Sequence, residues 1–363
     1  MVTTAFAPGR VNVIGEHTDY TDGLVLPCAI APGITLSVTA KATDVELDSA
    51  GFGPARADAR GANPSEGWGR FVGAVAAELD DLGRSPVGLR GEISSTLPAG
   101  SGLASSAALE VAVALALCAV ADFELPPREL ALACQRAEHR AVGVPVGVMD
   151  QMACVFGRAD HLLLLDCATL DIELVRFPAS LALVVLESGV HRQLEASAYQ
   201  QRRDELIAAV RRVGRRPADL KTDELHALVV EADLDDVQAR RLMHAVAENQ
   251  RVRAAAGLLR RQPWDSDSAA ALGALLTESH GSLRELFEVS TVELDALVAI
   301  AIEHGALGAR LTGAGFGGSV LALAEADRAG HVLERALESY QRRFEHLAPT
   351  GLVARPDDGA RTR

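Results

Sequence analysis

The ten residues from Arg10 to Asp19, RVNVIGEHTD, hold an arginine, an asparagine, a glutamate, a histidine and an aspartate beside Gly15. Carboxylate, imidazole and hydroxyl groups at that density can donate to and accept from many hydroxyls of one small polyhydroxylated ligand. A solvated polar loop has a similar composition. Here Val11, Val13, Ile14 and Leu24–Pro27 flank the run and draw it inward.

Three further stretches could carry chemistry. Leu97 to Glu110, LPAGSGLASSAALE, places small and hydroxyl residues before a long apolar segment. Gly100 and Gly102 let backbone amides approach an anion with no Cβ in the way. A helix opening there adds free N–H groups and the positive end of its dipole. Ser105 and Ser106 add hydroxyls that can reach a phosphate or a phosphate-bound metal. A tight turn with a serine cap explains the same residues. The stretch is not a Walker A loop, since no G-K-[ST] follows, and H-R-D and D-F-G are absent from the chain. Glu138 to Gln151, EHRAVGVPVGVMDQ, sets Asp150 among Val146, Val148 and Met149. A carboxylate in such company needs a partner, whether it caps a helix or does chemistry. Leu311 to Val320, LTGAGFGGSV, reads equally as a hairpin turn or a ligand contact.

Composition bounds the rest. Lys+Arg is 35 against 49 Asp+Glu, a formal charge of −14. That balance lacks the basic face that nucleic-acid binding uses. The only lysines are Lys41 and Lys221, so a mechanism that needs lysine has two candidates. The five cysteines, Cys28, Cys118, Cys134, Cys154 and Cys167, form no C-x-x-C pair and read as reduced core residues. No H-E-x-x-H or Cys/His cluster points to zinc. The apolar stretch Ala107–Ala121 is interrupted by Glu110 and is too short to cross a membrane. MVTTAFAPGR lacks the features of a signal peptide, so a soluble, cytoplasmic protein is expected.

The elements that must position these residues follow from periodicity. Strands are expected at Ile34–Thr39, Leu89–Ser94, Leu162–Asp166, Leu181–Leu186, Ala309–Thr312 and Ser319–Ala324. Helices are expected at Trp68–Leu82, Ala104–Val120 (apolar nearly all round, hence buried), through most of Tyr199–Glu303, and at His331–Phe344. Residues 51–67 read as a long surface loop, and RPDDGARTR as a frayed tail. A change of composition near residues 170–180 suggests two domains, 1–175 and 176–350, with 351–363 as a tail.

Taken together, the four stretches resemble the GHMP sugar and small-metabolite kinases. APGRVNVIGEHTDYTDGLVLP is similar to the galactokinase group within that family, and GEHTDY is specific to the group. LPAGSGLASSAALE resembles the family's ATP-phosphate loop, GVPVGVMDQM its catalytic-aspartate block and LTGAGFGGSV its third motif. LLLLDCATL, Trp68–Phe71, YQQRR and ESHGSLRELFEVS extend the resemblance from Ala7 to about Phe344. It implies an α+β, two-domain GHMP-kinase fold with a ferredoxin-like C-terminal domain. It also implies ATP-dependent phosphorylation of D-galactose at C1, with ATP as co-substrate and Mg²⁺, and no obligate protein partner. Carried over, Asp150 would be the base and Arg10 would stabilise charge at the transferring phosphoryl. Glu16, His17, Thr18, Asp19, Gly147 and Tyr199 would bind sugar. Gly100, Ser101, Gly102, Leu103, Ala104, Ser105 and Ser106 would cradle ATP, and Ser106 with Glu138 would hold the metal. Ala104 stands where many members carry a serine, which removes one hydroxyl contact to ATP. A kinase for a related sugar such as N-acetylgalactosamine, and a non-catalytic sugar and ATP sensor, are the alternatives.

Overall fold

The computed structural model describes residues 2–98, 102–143, 145–190 and 196–362. The N-terminal half runs β1 (Val2–Asn12), β2 (Leu24–Val25), β3 (Pro27–Lys41), β4 (Asp44–Ser49), β5 (Gly53–Asp58), α1 (Gly69–Asp81) and β6 (Gly88–Ser95). It continues with α2 (Ser105–Val120), α3 (Pro127–Val142), α4 (Met149–Phe156), β7 (His161–Asp166) and β8 (Ile172–Arg176). The C-terminal half runs β9 (Leu181–Glu187), α5 (Ala196–Val213), α6 (Leu225–Glu231), α7 (Asp236–Leu259), α8 (Ser266–Ser282) and α9 (Val292–Glu303). It ends with β10 (Gly308–Thr312), β11 (Ser319–Glu325), α10 (Ala329–Arg343), β12 (Thr350–Ala354) and β13 (Arg361–Thr362).

The first sheet has the order β13-β1-β3-β6-β4-β5, and β4 pairs with β6 in parallel. Helices α2 and α4 pack on β1 and β3, and α1 and α3 pack against α2. Helix α2 is built of Ala, Leu and Val, so it buries on every side and forms the centre of the core. Its single charge, Glu110, is buried with it. Pro127 opens α3 and Gly143, at φ 77°, closes it, so the chain turns back toward Asp150. A small sheet, β2-β7-β8, closes one side.

In the C-terminal half the order is β10-β11-β9-β12, all antiparallel. With β9 first in sequence, then β10, β11 and β12, this is the ferredoxin-like arrangement. Its inward residues, such as Val184, Leu186, Leu311, Val320 and Ala322, form a second core with α9 and α10. The connection from β9 to β10 is the helical stretch α5–α9. Helices α7, α8 and α9 start at Asp235, Asp265 and Thr291, each side chain accepting the backbone N–H three residues on. Helix α7 also packs against β2 and β8, so it reaches the N-terminal half.

Two expectations need correction. Residues 51–67 are not all loop, because Gly53–Asp58 pairs with β4 as an edge strand. Alternation of Ala55 and Ala57 inward is too weak a pattern to stand out among Gly, Pro and charge. The last residues are not a frayed tail. Residues 350–354 form β12, and the chain then crosses back to the first sheet. Asp357 N donates to Ala29 O at 3.0 Å, Gly359 N to Gly157 O at 2.8 Å and Ala360 N to Cys154 O at 2.8 Å. Arg361 and Thr362 then pair with Phe6 and Ala5 on β1, and the Arg361 guanidinium lies over the Phe6 ring. Polar residues hide this segment in sequence because its backbone, not its side chains, makes the pairing. All five cysteines are free and buried, and among the described residues no helix is long and apolar enough to cross a membrane.

Removal of residues 357–363 strips these backbone bonds, each worth ~0.5–1.5 kcal/mol net. Thermal unfolding of the truncated chain should show a midpoint several degrees lower. An unchanged midpoint would mean the segment contributes nothing and frays in solution.

Candidate active site

The end of β1, the start of α2, the α3–α4 connection and the β10–β11 turn surround a cleft of about 270 Å³. All four sequence motifs contribute to its wall. Arg10 and Asp150 meet at its centre. Arg10 Nε donates to Asp150 Oδ1 at 2.6 Å and Nη2 to Oδ2 at 2.8 Å, a two-point pairing that fixes both planes. Nη1 donates to Gly102 O at 2.7 Å, and the Arg10 amide donates to Leu103 O at 3.1 Å. One arginine thus joins β1, the glycine-rich loop and α4. Burial opposes its charge, but Asp150 and Glu16 outweigh that and hold its pKa above the ordinary value.

On the loop side, Gly102, Ala104, Ser105 and Ser106 line the cleft. Ser106 Oγ donates to Glu138 Oε1 at 2.7 Å. Burial, then the Asp150 charge, raises the Glu138 pKa. Leu103, expected among the nucleotide contacts, is buried beneath the loop, where only its carbonyl is used. Gly100 and Ser101 lie outside the described residues.

On the other side sit Glu16, His17, Asp19, Gly147 and Tyr199. Glu16 Oε1 accepts from Arg310 Nη2 at 3.1 Å, Thr312 Oγ1 at 2.9 Å and Gly313 N at 2.8 Å. Burial would raise its pKa, but Arg310, Arg10 and the Gly313 amide lower it, so it is an anion. The His17 ring stacks on Phe287 with centroids 4.5 Å apart, and its Nδ1 lies 3.0 Å from the Tyr20 hydroxyl. Burial lowers its pKa to about 4, so the ring is neutral at pH 7. Asp19 is pushed up to about 7 by burial and then by the Asp150 and Glu16 charges. Gly147 permits this packing, because a Cβ there would lie 1.6 Å from Asp19 Oδ2. Thr18 does not join the wall. It is buried in the turn, and its hydroxyl sits 2.9 Å from Gly15 O and 2.8 Å from Leu24 O, so its one proton is committed to backbone.

Sequence reasoning missed the groups behind the wall. Arg310 is fully buried on β10, and its guanidinium also donates to Val13 O at 2.8 Å and to Asn12 O. Glu248 on α7 accepts from the Gly15 and Glu16 amides at 2.9 and 3.3 Å, and Asn249 Oδ1 from the Leu24 amide at 2.7 Å. Phe287 ends a π-helical turn, Leu283–Phe287, that presses its ring on His17. An arginine within the apolar strand GARLT was a signal that could have been used. Glu248 and Asn249 gave none, since such residues on a helix are usually solvated.

Three family models match along the chain: the galactokinase galactose-binding signature at residues 3–40, the GHMP kinase N-terminal domain at 70–158 and the GHMP kinase C-terminal domain at 255–342. Curated galactokinases of Thermococcus kodakarensis and Pyrococcus furiosus are 38% and 37% identical, each over 98% of this chain and 98% of the relative. The chain belongs to the galactokinase family. Among solved structures, Lactococcus lactis galactokinase complexed with galactose superposes with a TM-score of 0.92 at 31% identity, over 99% of this chain and 95% of that one. A mevalonate kinase at 18% identity and a TM-score of 0.66 shares the fold. Within the galactokinase signature region lie Arg10, Glu16, His17 and Asp19, and ATP is the co-substrate of the family.

Asp19 gives this galactokinase-family chain a pH-dependent strain. Its folded pKa, about 7, lies above the value of an exposed aspartate, so the folded state favours its protonated form. Stability from this group is therefore lost as pH rises from the unfolded value through 7. Asp19→Asn should raise the unfolding midpoint at pH 8 relative to the parent, with the gain shrinking toward pH 5. An equal difference at both pH values would remove the buried-charge explanation.

Proposed function

We propose that the chain transfers the γ-phosphoryl group of ATP to the C1 hydroxyl of D-galactose, forming α-D-galactose 1-phosphate and ADP. This would be the first committed step of galactose catabolism. One observation carries the reading: the Arg10–Asp150 pair stands between a set of sugar-type hydrogen-bonding groups and a helix start suited to phosphate. A cleft of about 270 Å³ suits one monosaccharide ring and the end of a polyphosphate.

Glu16, Asp19, His17 and Tyr199 would bind galactose. Glu16, already an anion with three protein donors on Oε1, offers its other oxygen to hydroxyls. The neutral His17 ring lines the cleft beside Tyr199, its face packed on Phe287. The start of α2, with Ser105 and Ser106, would receive the phosphates on free N–H groups and hydroxyls.

The donor set fits Mg²⁺. Ser106 Oγ and Glu138 Oε1 are hard oxygen donors that meet at the cleft wall, and Glu138 carries repulsion from Asp150 that a cation relieves. Ser106 and Glu138 would hold the ion, which when bound neutralises charge on the phosphate oxygens. The protein's own part is positioning and charge. Asp150, held in plane by Arg10, accepts the proton of the C1 hydroxyl as that oxygen forms its bond to the γ-phosphorus and the bond to ADP breaks. Arg10 stabilises the charge that builds on the transferring group.

Asp150→Asn keeps the shape and removes the charge. Steady-state assays should show turnover reduced by ~10²–10⁴-fold, the range of general-base effects. Calorimetry should show galactose still bound, since the sugar-side groups remain. The parent should strongly prefer galactose to glucose, because a buried polar site rejects an epimer that leaves its groups unpaired. More than about a tenth of turnover retained in Asp150→Asn would lie outside that range and exclude Asp150 as base. Equal activity on the two sugars would exclude galactose as the designed substrate.

A further inference from the structure

Beneath the cleft lies a polar arrangement that the reaction above does not use. Glu110 is the one charged residue of α2 and is fully solvent-excluded. It sits one helical turn after Ser106, so both point to the same side of α2. Gln151, next to Asp150 on α4, is equally buried. Its amide nitrogen forks between two carboxylates, donating to Glu138 Oε2 at 2.7 Å and to Glu110 Oε2 at 3.2 Å. The other Glu138 oxygen accepts from Ser106. Each oxygen of Glu138 therefore has one donor, and only one of these donors, Ser106, lines the cleft.

We infer that Gln151, braced from below by Glu110, is a positioning residue that fixes the Glu138 carboxylate for metal-bound nucleotide. The inference rests on the assignment of Glu138 to the metal. The geometry makes a definite distinction between the two oxygens. Gln151 holds Oε2 on the interior side, which leaves Oε1 turned to Ser106 and the cleft. An amide nitrogen has two protons, and here both are committed, one to each carboxylate. The Gln151 side chain thus has no freedom to release Glu138 without leaving Glu110 unpaired as well.

Glu110 completes the brace. Burial, then the nearby Glu138 charge, pushes it up to about 10, so at neutral pH it carries its proton. Glu110 Oε1 and Gln151 Oε1 are the two buried atoms of this arrangement without a hydrogen-bond partner among the described residues. A protonated Glu110 has an O–H to donate, and the Gln151 amide oxygen is a buried acceptor without a partner, while the amide N–H serves Glu110 Oε2. An acid in an apolar helix is then a fixed, uncharged support. It adds no further negative charge beneath Glu138 and Asp150. Groups that orient a metal ligand in this way are worth ~10–100-fold in metal affinity.

The test separates metal use from folding and from sugar binding. For the parent, Gln151→Leu, Gln151→Met, Glu110→Leu and Glu110→Gln, calorimetry gives ADP affinity with Mg²⁺ and with a chelator, and galactose affinity. Assays give the Mg²⁺ concentration for half-maximal turnover. Gln151→Leu and Gln151→Met should lose most of the Mg²⁺-dependent gain in ADP affinity and need ~10-fold or more Mg²⁺. Their galactose affinity and metal-free ADP affinity should stay within about twofold of the parent, as expected for loss of orientation alone. Glu110→Leu should follow them, and Glu110→Gln, which still offers an acceptor to Gln151, should behave as the parent. The inference is overturned if the Mg²⁺ dependence of both Gln151 variants is unchanged. It is also overturned if all affinities fall together, or if the variants fail to fold while Glu110→Leu folds with normal Mg²⁺ use. A parent with no Mg²⁺-dependent gain in ADP affinity would instead sink the metal assignment on which the inference stands.

Discussion

Glu16 carries a negative charge in the protein interior, and a buried charge persists only where paired donors surround it. Its donors come from β10 and the turn after it, nearly three hundred residues later in the chain. Arg310 supplies a guanidinium that also grips the Asn12 and Val13 carbonyls, and Thr312 and Gly313 supply an O–H and an N–H. The Gly15–Glu16 turn itself is held from α7 by Glu248, whose carboxylate accepts the Gly15 and Glu16 amides. Burial raises the Glu248 pKa, but Arg251 and the other charges around it bring it down to about 2. A cation and an anion of the C-terminal half therefore hold one turn of the N-terminal half from two sides. The ferredoxin-like half is in this sense part of the cleft wall around Glu16, although β1 and α4 carry the Arg10–Asp150 pair.

The charge balance inside the cleft follows from that arrangement. Arg310 is committed to Glu16, so Arg10 is the guanidinium left to serve Asp150. Burial, and then neighbouring anions, push Asp19 and Glu138 up, and Arg10 offsets this only in part. A site with this balance favours neutral hydrogen-bond donors or a cation beside its carboxylates over a further anion. The neutral state of His17, set by burial against Phe287, belongs to the same logic: another fixed positive charge is not needed there, but a ring that can both donate and accept is.

How much of this could be read from the chain depends on where each group's partners lie. The run RVNVIGEHTD and the LASSAALE and GVMDQ stretches declare their chemistry because many polar residues crowd beside glycines and apolar flanks. Burial of Asp150 called for a partner without naming it, and the structure supplies Arg10 at two points. Glu248 and Asn249 were not legible, since polar residues on a helix such as α7 are usually solvated, and Arg310, out of place within GARLT, was a signal left unused. Their value comes only from three-dimensional proximity to the first motif. Thr18 misled in the opposite way, because membership of a motif does not say whether a hydroxyl faces the ligand or the turn's own carbonyls. The C-terminal residues misled because backbone pairing leaves no hydrophobic period to read.

Arg310→Met, followed by calorimetric titration with galactose and separately with ADP and Mg²⁺, tests whether the C-terminal half holds the sugar turn. Met keeps much of the aliphatic stem and removes the guanidinium that pairs with Glu16. The account predicts that galactose affinity falls at least ~10-fold, since an unpaired buried carboxylate shifts its state or its place. Nucleotide affinity should be preserved, because the α2 start, Ser106 and Glu138 do not touch Arg310. Unchanged galactose affinity, or parallel loss of both ligands, would contradict it.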